Sequence, residues 1–285
     1  MATAKLGNRR VTGKEQYYTH PALAARLTDV MMSIIGTGAT SAQWIEPAGG
    51  TGSFVEALAE RGVANIVSFD IEPHHPRVQR ADFLSTRLVG SGMVSITNPP
   101  FGRANKLCIP FFNKLADHCD YIGFIVPKSW RKWSVQDRLH SNFHLVHDED
   151  LVVNYVSSAG APLALGKTNL NTVFQAWRRE PEIRVRHKVD DRGYIEKTSP
   201  DQADVSLTIF GRGCGSVKTN FPRVPNTTQM FLRVRDQSVV TGLQNANLAQ
   251  FYNNVAYVEA LSLQEINYAL NEYFDSITAV PASAP

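Results

Sequence analysis

The sequence predicts an α/β protein with a doubly wound, largely parallel sheet, followed by a smaller β-rich module. Short apolar runs alternate with helix-like stretches from residue 42 to residue 128, and this βαβα rhythm is typical of a parallel sheet covered by helices. Near residue 180 the rhythm changes to strand-like alternation with turn glycines. We therefore expect a sheet domain over residues 14–180 and a module over residues 181–285, preceded by a flexible basic arm over residues 1–13.

Composition excludes several classes of protein. Of the 285 residues, 43% are hydrophobic and 19% are charged, which supplies a core and is too little charge for a disordered chain. No apolar run approaches the length of a membrane span, and the first 13 residues lack the apolar region of a secretory signal. The three cysteines form no CxxC pair, which indicates free thiols and no zinc site. We therefore expect a soluble, cytoplasmic protein without a metal.

The first predicted element is a helix that begins at Pro21 and ends before "GTGATS". Proline suits the first turn of a helix, and Leu23, Leu27 and Met31 recur at helical spacing. The segment "AQWIEPAGGTGSFVEALAERG" then has the pattern of a strand, a glycine turn and a helix. Further strands are predicted at "NIVSFDI", "MVSITNPP", "YIGFIVPK", "DLVVNYV" and "NTVFQAWR", with a helix at "LCIPFFNKLADHC".

The C-terminal module has a different pattern. "EIRVRHKV" alternates apolar and charged residues like a half-exposed strand, and "VSLTIFGRGCGS" predicts another strand followed by a glycine turn. The glycines of that turn, Gly211–Ser216, fit either a hairpin or a nest of N–H groups for a phosphate, and we favour the hairpin. "SLQEINYALNEYF" predicts a closing helix, because Ser262 and Glu265 have the spacing of a capping box.

The stretch "SITNPPFG" ends a strand abruptly, because proline cannot donate to a strand ladder and restricts the residue before it. Asn98 is then held at the strand end, while Pro99 and Pro100 fix the turn. The Asn98 amide oxygen and the Pro99 carbonyl can both accept hydrogen bonds from an exocyclic amino group. Phe101 offers a face on which a base can stack. The pattern therefore predicts a site for an amino group on a planar ring.

A glycine turn precedes this stretch. Gly49, Gly50 and Gly52 lie between a predicted strand and a predicted helix. The absence of Cβ atoms lets a ligand approach the backbone there, and a helix N-terminus favours a carboxylate or a phosphate. The pattern is neither G-x-G-x-x-G nor the Walker motif, so a simple tight turn is the alternative.

Three acidic residues lie at or near predicted strand ends. Asp70 ends the strand that follows the glycine turn, where nucleotide-binding sheets place an acid that accepts from ribose hydroxyls. Each acid has a simpler alternative as a turn or capping residue. Because the carboxyl ends of parallel strands meet at one edge of a sheet, we expect these acids to lie near the glycine turn and Asn98. The three acids are Glu46, Asp70 and Asp82.

As a set, these motifs resemble the S-adenosylmethionine-dependent N6-adenine DNA methyltransferases whose cofactor motifs precede the catalytic motif. The resemblance covers roughly residues 14–180 and implies a Rossmann-like class I methyltransferase fold. It also implies S-adenosylmethionine as the cofactor and methyl transfer to the N6 amino group of adenine in DNA, with base flipping. The matching stretches are "EQYYTHP" (Glu15–Pro21), "EPAGGTGSF" (Glu46–Phe54), "DIEP" (Asp70–Pro73), "ADFL" (Ala81–Leu84) and "NPPF" (Asn98–Phe101).

The same resemblance implies roles for individual residues. Tyr18 and Thr19 would help to cover the methionine end of the cofactor. Asp70 would bind its ribose, Ile71 would pack on its adenine, and Asp82 would hold its amino group. The implied catalytic residues are Asn98, Pro99, Pro100 and Phe101, and the cofactor set is completed by Glu46, Ala48, Gly49, Gly50, Gly52 and Phe83.

Basic residues indicate a polyanionic partner. Between Arg178 and Arg235 the chain has 12 Lys/Arg and 7 Asp/Glu, an asymmetry that fits either a nucleic-acid partner or a solvated face. The stretch "PKSWRKW" follows a predicted strand on the rim expected to hold Asn98, where its cations would contact phosphates or form a solvated loop. Phe174 is either a second aromatic beside a flipped base or a core residue. The candidate nucleic-acid contacts are Lys128, Arg131, Lys132, Phe174, Arg184, Arg186 and Lys218.

Alternatives to a DNA methyltransferase stay open at this stage. The tetrapeptide Asn98–Phe101 fits adenine in RNA as well as in DNA, and a non-catalytic nucleic-acid-binding subunit could retain the same fold. The intact tetrapeptide, Asp70 and Asp82 count against a non-catalytic copy. Residues 181–285 match no family and are interpreted as a small target-recognition module, which leaves room for a partner subunit or a restriction nuclease.

Overall fold

A computed structural model gives the course of most of the chain, and its contacts divide the protein into two compact units, Met1–Arg186 and His187–Pro285. This division falls shortly after residue 180, where the sequence pattern changes. The basic arm predicted over residues 1–13 lies outside the described residues. The structure describes residues 18–102, 105–152, 155–157, 171–256 and 258–278.

The first unit is built on a seven-stranded sheet. The strands described in this unit, all of which except β1 and β8 belong to the sheet, are in chain order β1 (Tyr18–Thr19), β2 (Trp44–Glu46), β3 (Ile66–Asp70), β4 (Gln79–Arg80), β5 (Met93–Thr97), β6 (Cys119–Pro127), β7 (Phe143–Leu151), β8 (Tyr155–Val156) and β9 (Thr172–Arg179). The sheet order is β4-β3-β2-β5-β6-β9-β7, and only β9 runs antiparallel to its neighbours. β1 and β8 pair separately. This topology confirms the predicted doubly wound sheet and is that of a Rossmann-like methyltransferase fold.

Helices cover both faces of this sheet. The helices are α1 (Pro21–Ile35), α2 (Ser53–Glu60), α3 (Cys108–Ala116) and the short α4 (Trp133–Gln136). Side chains alternate along β6, so that Ile122 and Phe124 pack with α3 while Ile125 packs with α1 and α2. On the α3 side, the Phe112 ring contacts four other aromatic rings edge-on or tilted, at centroid distances of 5.5–5.7 Å.

Several predicted element ends are confirmed. α1 begins at Pro21, where the His20 ring accepts the Ala22 N–H at 3.2 Å, and ends at Ile35 before the predicted glycine-rich stretch. β5 ends at Thr97, directly before Asn98 and the two prolines. Local sequence chemistry therefore places Asn98 at the strand end.

Two strand predictions are corrected by the structure. β7 covers the polar stretch Phe143–Leu151, so only the first residues of "DLVVNYV" belong to it, and β8 lies in the separate two-stranded ladder. "EIRVRHKV" forms no strand. Its Arg184 guanidinium donates instead to main-chain carbonyls of Phe143 (3.1 Å) and Gln136 (2.7 Å), which holds the segment against the end of the first unit.

The second unit combines a four-stranded antiparallel sheet with helices. The strands are β10 (Ile195–Lys197), β11 (Val205–Phe210), β12 (Val217–Lys218) and β13 (Thr228–Val234), in the order β10-β13-β11-β12. The helices are α5 (Gln237–Asn245), α6 (Ala249–Tyr252) and α7 (Leu263–Thr278). The predicted capping box at the start of α7 is confirmed, because the Ser262 N–H donates to the Glu265 carboxylate at 2.8 Å and the Glu265 N–H donates to Ser262 Oγ at 3.3 Å.

The glycine turn between β11 and β12 is a hairpin turn. The Cys214 N–H donates to the Gly211 carbonyl at 3.1 Å, and the Gly215 N–H donates to the Thr208 carbonyl at 2.8 Å. The Ser216 N–H donates to the Gly213 carbonyl at 3.0 Å. Because these N–H groups bond within the hairpin, they are not directed at a phosphate, and the favoured interpretation holds.

Candidate functional site

A pocket lies at the carboxyl edge of the seven-stranded sheet, where β2 is flanked by β3 and β5. It is partly open to solvent and brings together β1, the glycine turn after β2 and Asn98 after β5. These three segments are far apart in sequence and were predicted to meet here. The lining residues are Tyr18, Thr19, Ala48, Gly49, Gly50, Thr51, Ser53, Phe54 and Asn98.

The glycine turn is shaped by contacts that a side chain would prevent. Gly50 has φ +48°, and a Cβ there would lie 2.8 Å from the Tyr18 ring. Gly52 caps α2 at φ +78°, and a Cβ there would overlap the His75 ring. Both positions therefore need glycine for the backbone conformation and for the close approach of a neighbouring ring.

Asp70 fixes the glycine turn to the end of β3. Its carboxylate accepts the Gly50 N–H and the Glu72 N–H, each at 2.8 Å. Each carboxylate oxygen retains a further lone pair, so the group can still accept from a ligand hydroxyl. Beside it, Ile71 leaves 60% of its surface exposed, which is unusual for a strand-end isoleucine. A carboxylate next to an exposed apolar side chain suits a ligand in which a hydroxyl-bearing ring is joined to a flat aromatic ring. The carboxylate would accept from the hydroxyls, and the apolar side chain would pack on the flat ring.

Tyr18 closes one side of the pocket. Its ring lies against Gly50 and meets the His74 ring edge-on at 5.6 Å, while the Ser53 hydroxyl donates to the Thr19 carbonyl at 2.8 Å. Burial, followed by the nearby charges of Asp70 and Glu72, raises the pKa of the Tyr18 phenol to about 12. The phenol therefore stays neutral over the physiological range and keeps its proton as a hydrogen-bond donor.

Glu46 lies beneath the pocket rather than in its lining. Its Oε1 accepts the Thr97 hydroxyl and the Ala48 N–H (3.2 Å), and so joins β2 to the residue that precedes Asn98. Among the described residues, its Oε2 has no hydrogen-bond partner. Burial raises the pKa of this carboxyl to about 8, with a smaller contribution from the Asp70 charge. At neutral pH the group is therefore mostly protonated.

Glu46→Gln is expected to flatten the pH dependence of stability. The folded pKa near 8 exceeds the ordinary value of 4.5, so the folded state holds the proton more tightly, and this stabilisation is lost as pH rises from 4.5 through 8. The loss in wild type should reach about 3–5 kcal/mol by pH 8. Urea unfolding of both proteins from pH 5 to pH 9 measures it. The exposed Glu60→Gln serves as control, and a constant difference between wild type and Glu46→Gln would contradict a raised pKa.

Asp82 and Phe83 lie outside the pocket lining. Asp82 is exposed, and its carboxylate accepts the Leu84 N–H (3.0 Å) and the Ser85 hydroxyl (2.9 Å), which is the capping role open to it from the sequence. Phe83 is 1% exposed and packs between Phe69 and Phe111 in the core. The Phe83 ring therefore has no surface for a cofactor, whereas Asp82 remains reachable from solvent.

The tetrapeptide Asn98–Phe101, which the sequence predicts to be catalytic, is only partly open. Asn98 lines the pocket, but Pro99 is buried and Phe101 is 7% exposed within the core that packs under α1 and α2. The Phe101 carbonyl also accepts the Leu107 N–H at 3.3 Å. The expectation that Phe101 presents an open face to a base is therefore not met in this conformation, because most of its ring is covered by protein.

Two of the candidate phosphate-binding cations already have acidic partners. Lys128 Nζ lies 2.8 Å from an Asp150 carboxylate oxygen, and Arg131 contacts both Asp148 and Asp150. These acids belong to β7, whose carboxyl end lies at the same edge of the sheet as that of β6. The "PKSWRKW" rim is therefore charge-compensated at Lys128 and Arg131, while Lys132 is partly exposed.

The other residues predicted to contact nucleic acid differ in how exposed they are. Phe174 is fully buried in the core, so its ring has no surface on which a base could stack. Arg184 is engaged by main-chain carbonyls and lies over the Trp177 ring at 5.7 Å, and burial lowers the pKa of its guanidinium. Arg186 is exposed, and Lys218 is partly exposed in the second unit.

Several residues at the site escaped prediction from sequence. The His74 N–H donates to the Gly50 carbonyl at 2.9 Å, and His75 packs against Gly52 with its Nε2 3.1 Å from Glu56. Thr97 reaches Glu46 from the neighbouring strand. The adjacent histidines after "DIEP" were the available signal, since they lie four and five residues after the strand-end acid Asp70.

The described part of the chain contains neither a candidate metal site nor a membrane-spanning helix. Among the described residues, no group of three or more His, Cys, Asp or Glu side chains could hold a metal ion. No helix in the same part of the chain is both long and apolar enough to cross a bilayer.

Comparison with solved structures finds methyltransferases. A candidate RNA methyltransferase, PH1948 from Pyrococcus horikoshii, is 15% identical, with a TM-score of 0.47 over 62% of this chain and 93% of that chain. A modification subunit of a candidate type I restriction enzyme from Vibrio vulnificus YJ016 is 15% identical (TM-score 0.41; 57% and 44% covered). The 23S rRNA methyltransferase ErmE is 14% identical (TM-score 0.38; 60% and 73% covered). No protein-family model and no curated protein matches the sequence.

Proposed function

We propose that this protein transfers a methyl group from S-adenosylmethionine to the N6 amino group of adenine in DNA. The observation that carries this proposal is the placement of Asn98. Its amide lines the same pocket as the glycine turn, at the end of a strand stopped by two prolines. An amide beside a glycine turn of the kind that binds nucleotides suits a reaction between a nucleotide-like cofactor and an exocyclic amino group.

The residues around the glycine turn fit the cofactor. Gly50 and Gly52 keep the turn clear of side chains, Asp70 retains lone pairs for ribose hydroxyls, and exposed Ile71 offers an apolar surface to adenine. Tyr18 and Thr19 would cover the methionine end. Asp82 would accept from the cofactor's amino group. The cofactor supplies an electrophilic methyl group on a sulfonium sulfur.

Asn98 and Pro99 act on the other reactant. The Asn98 amide oxygen and the Pro99 carbonyl each accept a hydrogen bond from the adenine amino group, which localises the nitrogen lone pair towards the methyl carbon. A carbon–nitrogen bond forms as the carbon–sulfur bond breaks, and the nitrogen then releases one proton to solvent. The protein contributes position and hydrogen-bond acceptors rather than a nucleophile.

The adenine must leave its duplex, or be unpaired already, to reach this pocket. A base stacked in a helix cannot place its amino group beside a side chain at a sheet edge. Because Phe101 is largely covered, stacking on its ring would require that ring to move on binding. We therefore expect unpaired adenine to react at least as well as paired adenine.

Transfer of tritiated methyl groups to nucleic acid tests the proposal. Unmethylated duplex DNA, single-stranded DNA and total RNA are incubated in parallel with labelled S-adenosylmethionine, and the products are digested to nucleosides. We expect N6-methyladenine in DNA. Label confined to RNA would replace DNA by RNA as the substrate, and label on cytosine or on no nucleic acid would overturn the proposal.

A further inference from the structure

The four-stranded sheet of the second unit has two different faces. Leu207, Met230 and Leu232 pack in one core with residues of α5 and α7. The opposite face follows from the register, because Ser206 pairs with both Phe231 and Lys218, and Glu196 pairs with Arg233. We call this second surface the outer face, defined by Glu196, Ser206, Lys218, Phe231 and Arg233.

Two aromatic rings meet at the outer face. Phe231 lies on β13, a central strand, and its ring meets the Phe221 ring edge-on at 5.5 Å. Phe221 comes from the segment between β12 and β13, which is tied back to the strand because Gln229 Nε2 donates to the Pro222 carbonyl at 3.0 Å. Both rings are partly exposed. Partly exposed aromatic rings on a sheet provide surfaces on which bases can stack.

Three cations lie on this face or in the segment that carries Phe221, and two of them have no acidic partner among the described residues. Within the described residues, neither Lys218 nor Arg223 has an acidic partner within 4 Å, in contrast to Lys128 and Arg131 of the first unit. Arg233 lies 3.5 Å from Glu196 in a pair where both side chains are largely exposed. Such a pair contributes little and leaves Arg233 able to turn towards a phosphate.

A buried hydroxyl between these groups also lacks a partner. Ser206 is fully buried, and its Oγ makes no hydrogen bond with the described part of the protein. The register places it between Phe231 and Lys218. Because the protein covers this hydroxyl, the accessible part of the outer face is formed by larger side chains, namely Phe231, Lys218 and Arg233.

We propose that the outer face binds an unpaired strand of nucleic acid. The rings of Phe221 and Phe231 stack on bases, which requires bases freed from pairing, and Lys218, Arg223 and Arg233 contact the phosphates. A duplex would present only its phosphates to this face and would leave the rings unused. This inference rests on the proposed function, in which DNA is the substrate, and adds to it the surface that binds the unpaired strand.

Binding of labelled single-stranded DNA to the full chain, measured by fluorescence anisotropy without cofactor, tests the inference. Lys218→Glu should weaken binding at least tenfold compared with Lys197→Glu. This control makes the same charge change at a position that pairs with Leu232 of the helix-packed face. Phe231→Leu keeps an apolar side chain and should weaken binding about 5- to 100-fold through loss of stacking.

Three comparisons decide the outcome. We expect single-stranded DNA to bind more tightly than a duplex of the same sequence. Equal effects of Lys218→Glu and Lys197→Glu would overturn the inference, as would unchanged binding by a folded Phe231→Leu protein or tighter binding of the duplex. Because these measurements need no methyl transfer, their failure is distinct from a failure of the methylation assay, which tests the proposed activity.

Discussion

Asn98→Ala is expected to lower the rate of methyl transfer about 100- to 1,000-fold while leaving cofactor affinity within about threefold. In the proposed reaction the amide would accept a hydrogen bond from the reacting amino group, and its contribution would be largest when the nitrogen lone pair is directed at the methyl carbon. The glycine turn and Asp70, which are expected to hold the cofactor, are left intact. Single-turnover kinetics with saturating DNA, together with calorimetric titration of S-adenosylmethionine, separate the two effects.

A matched variant distinguishes loss of an acceptor from a general disturbance of the strand end. Asn98→Asp retains an acceptor oxygen at the same position, so it should keep more activity than Asn98→Ala. Both variants should unfold at similar urea concentrations, because Asn98 is partly exposed at the pocket. If Asn98→Ala methylated DNA as fast as the wild-type protein, Asn98 would have no role in the reaction.

Gly52→Ala is expected to weaken cofactor binding more than tenfold and to cost about 1–3 kcal/mol of stability. The residue caps α2 with a positive φ, and its new Cβ would overlap the His75 ring. Relief of that overlap must shift either the histidine or the turn beneath the pocket. Calorimetric titration of the cofactor and urea unfolding measure the two quantities.

Gly62→Ala provides the matched control for this variant. Gly62 has a similar φ of +81°, but nothing lies within 4 Å of the position its Cβ would occupy. It should therefore show the backbone cost alone, with unchanged cofactor affinity. Adding His75→Ala to Gly52→Ala should restore part of the affinity, and failure to do so would mean that the overlap is not what disturbs the turn.

The parts of the fold that follow local chemistry were predictable from sequence. Pro21 starts α1, the proline pair stops β5 after Thr97, and Ser262 with Glu265 begins α7. Each depends on steric or hydrogen-bond rules that act over a few residues. The convergence of the glycine turn and Asn98 was also predictable, because it follows from parallel strand topology.

Predictions failed where tertiary contacts decide the outcome. β7 was predicted too late in the chain, because "HLVHDEDL" is an edge strand whose polar residues pair with cations of another segment, so its apolar pattern is weak. "EIRVRHKV" has strand periodicity, but Arg184 is held by main-chain carbonyls and the segment joins no ladder. Sequence pattern does not show which partner a strand-like segment will find.

Side-chain depth was the second source of error. Phe83 and Phe101 lie in motifs associated with ligands, and Phe174 was a candidate second aromatic beside a flipped base or a core residue, yet all three residues are at most 7% exposed. An aromatic residue has the same sequence signature whether it faces a ligand or the core. The burial of Glu46 beneath the pocket also could not be predicted from the sequence, since acidic residues at strand ends are usually at the surface.

The ion pairs that Lys128 and Arg131 form with Asp148 and Asp150 determine how this protein should respond to ionic strength. A cation that an internal carboxylate already neutralises holds few mobile anions and offers little counterion release when a phosphate arrives. The logarithmic dependence of nucleic-acid affinity on salt should therefore report the uncompensated cations, such as Lys218 and Arg223, and not the total positive charge of the chain. Under the proposed function, the acids of β7 would weaken the non-specific attraction of nucleic acid to this rim, so that methyl transfer at the pocket would not compete with indiscriminate binding beside it.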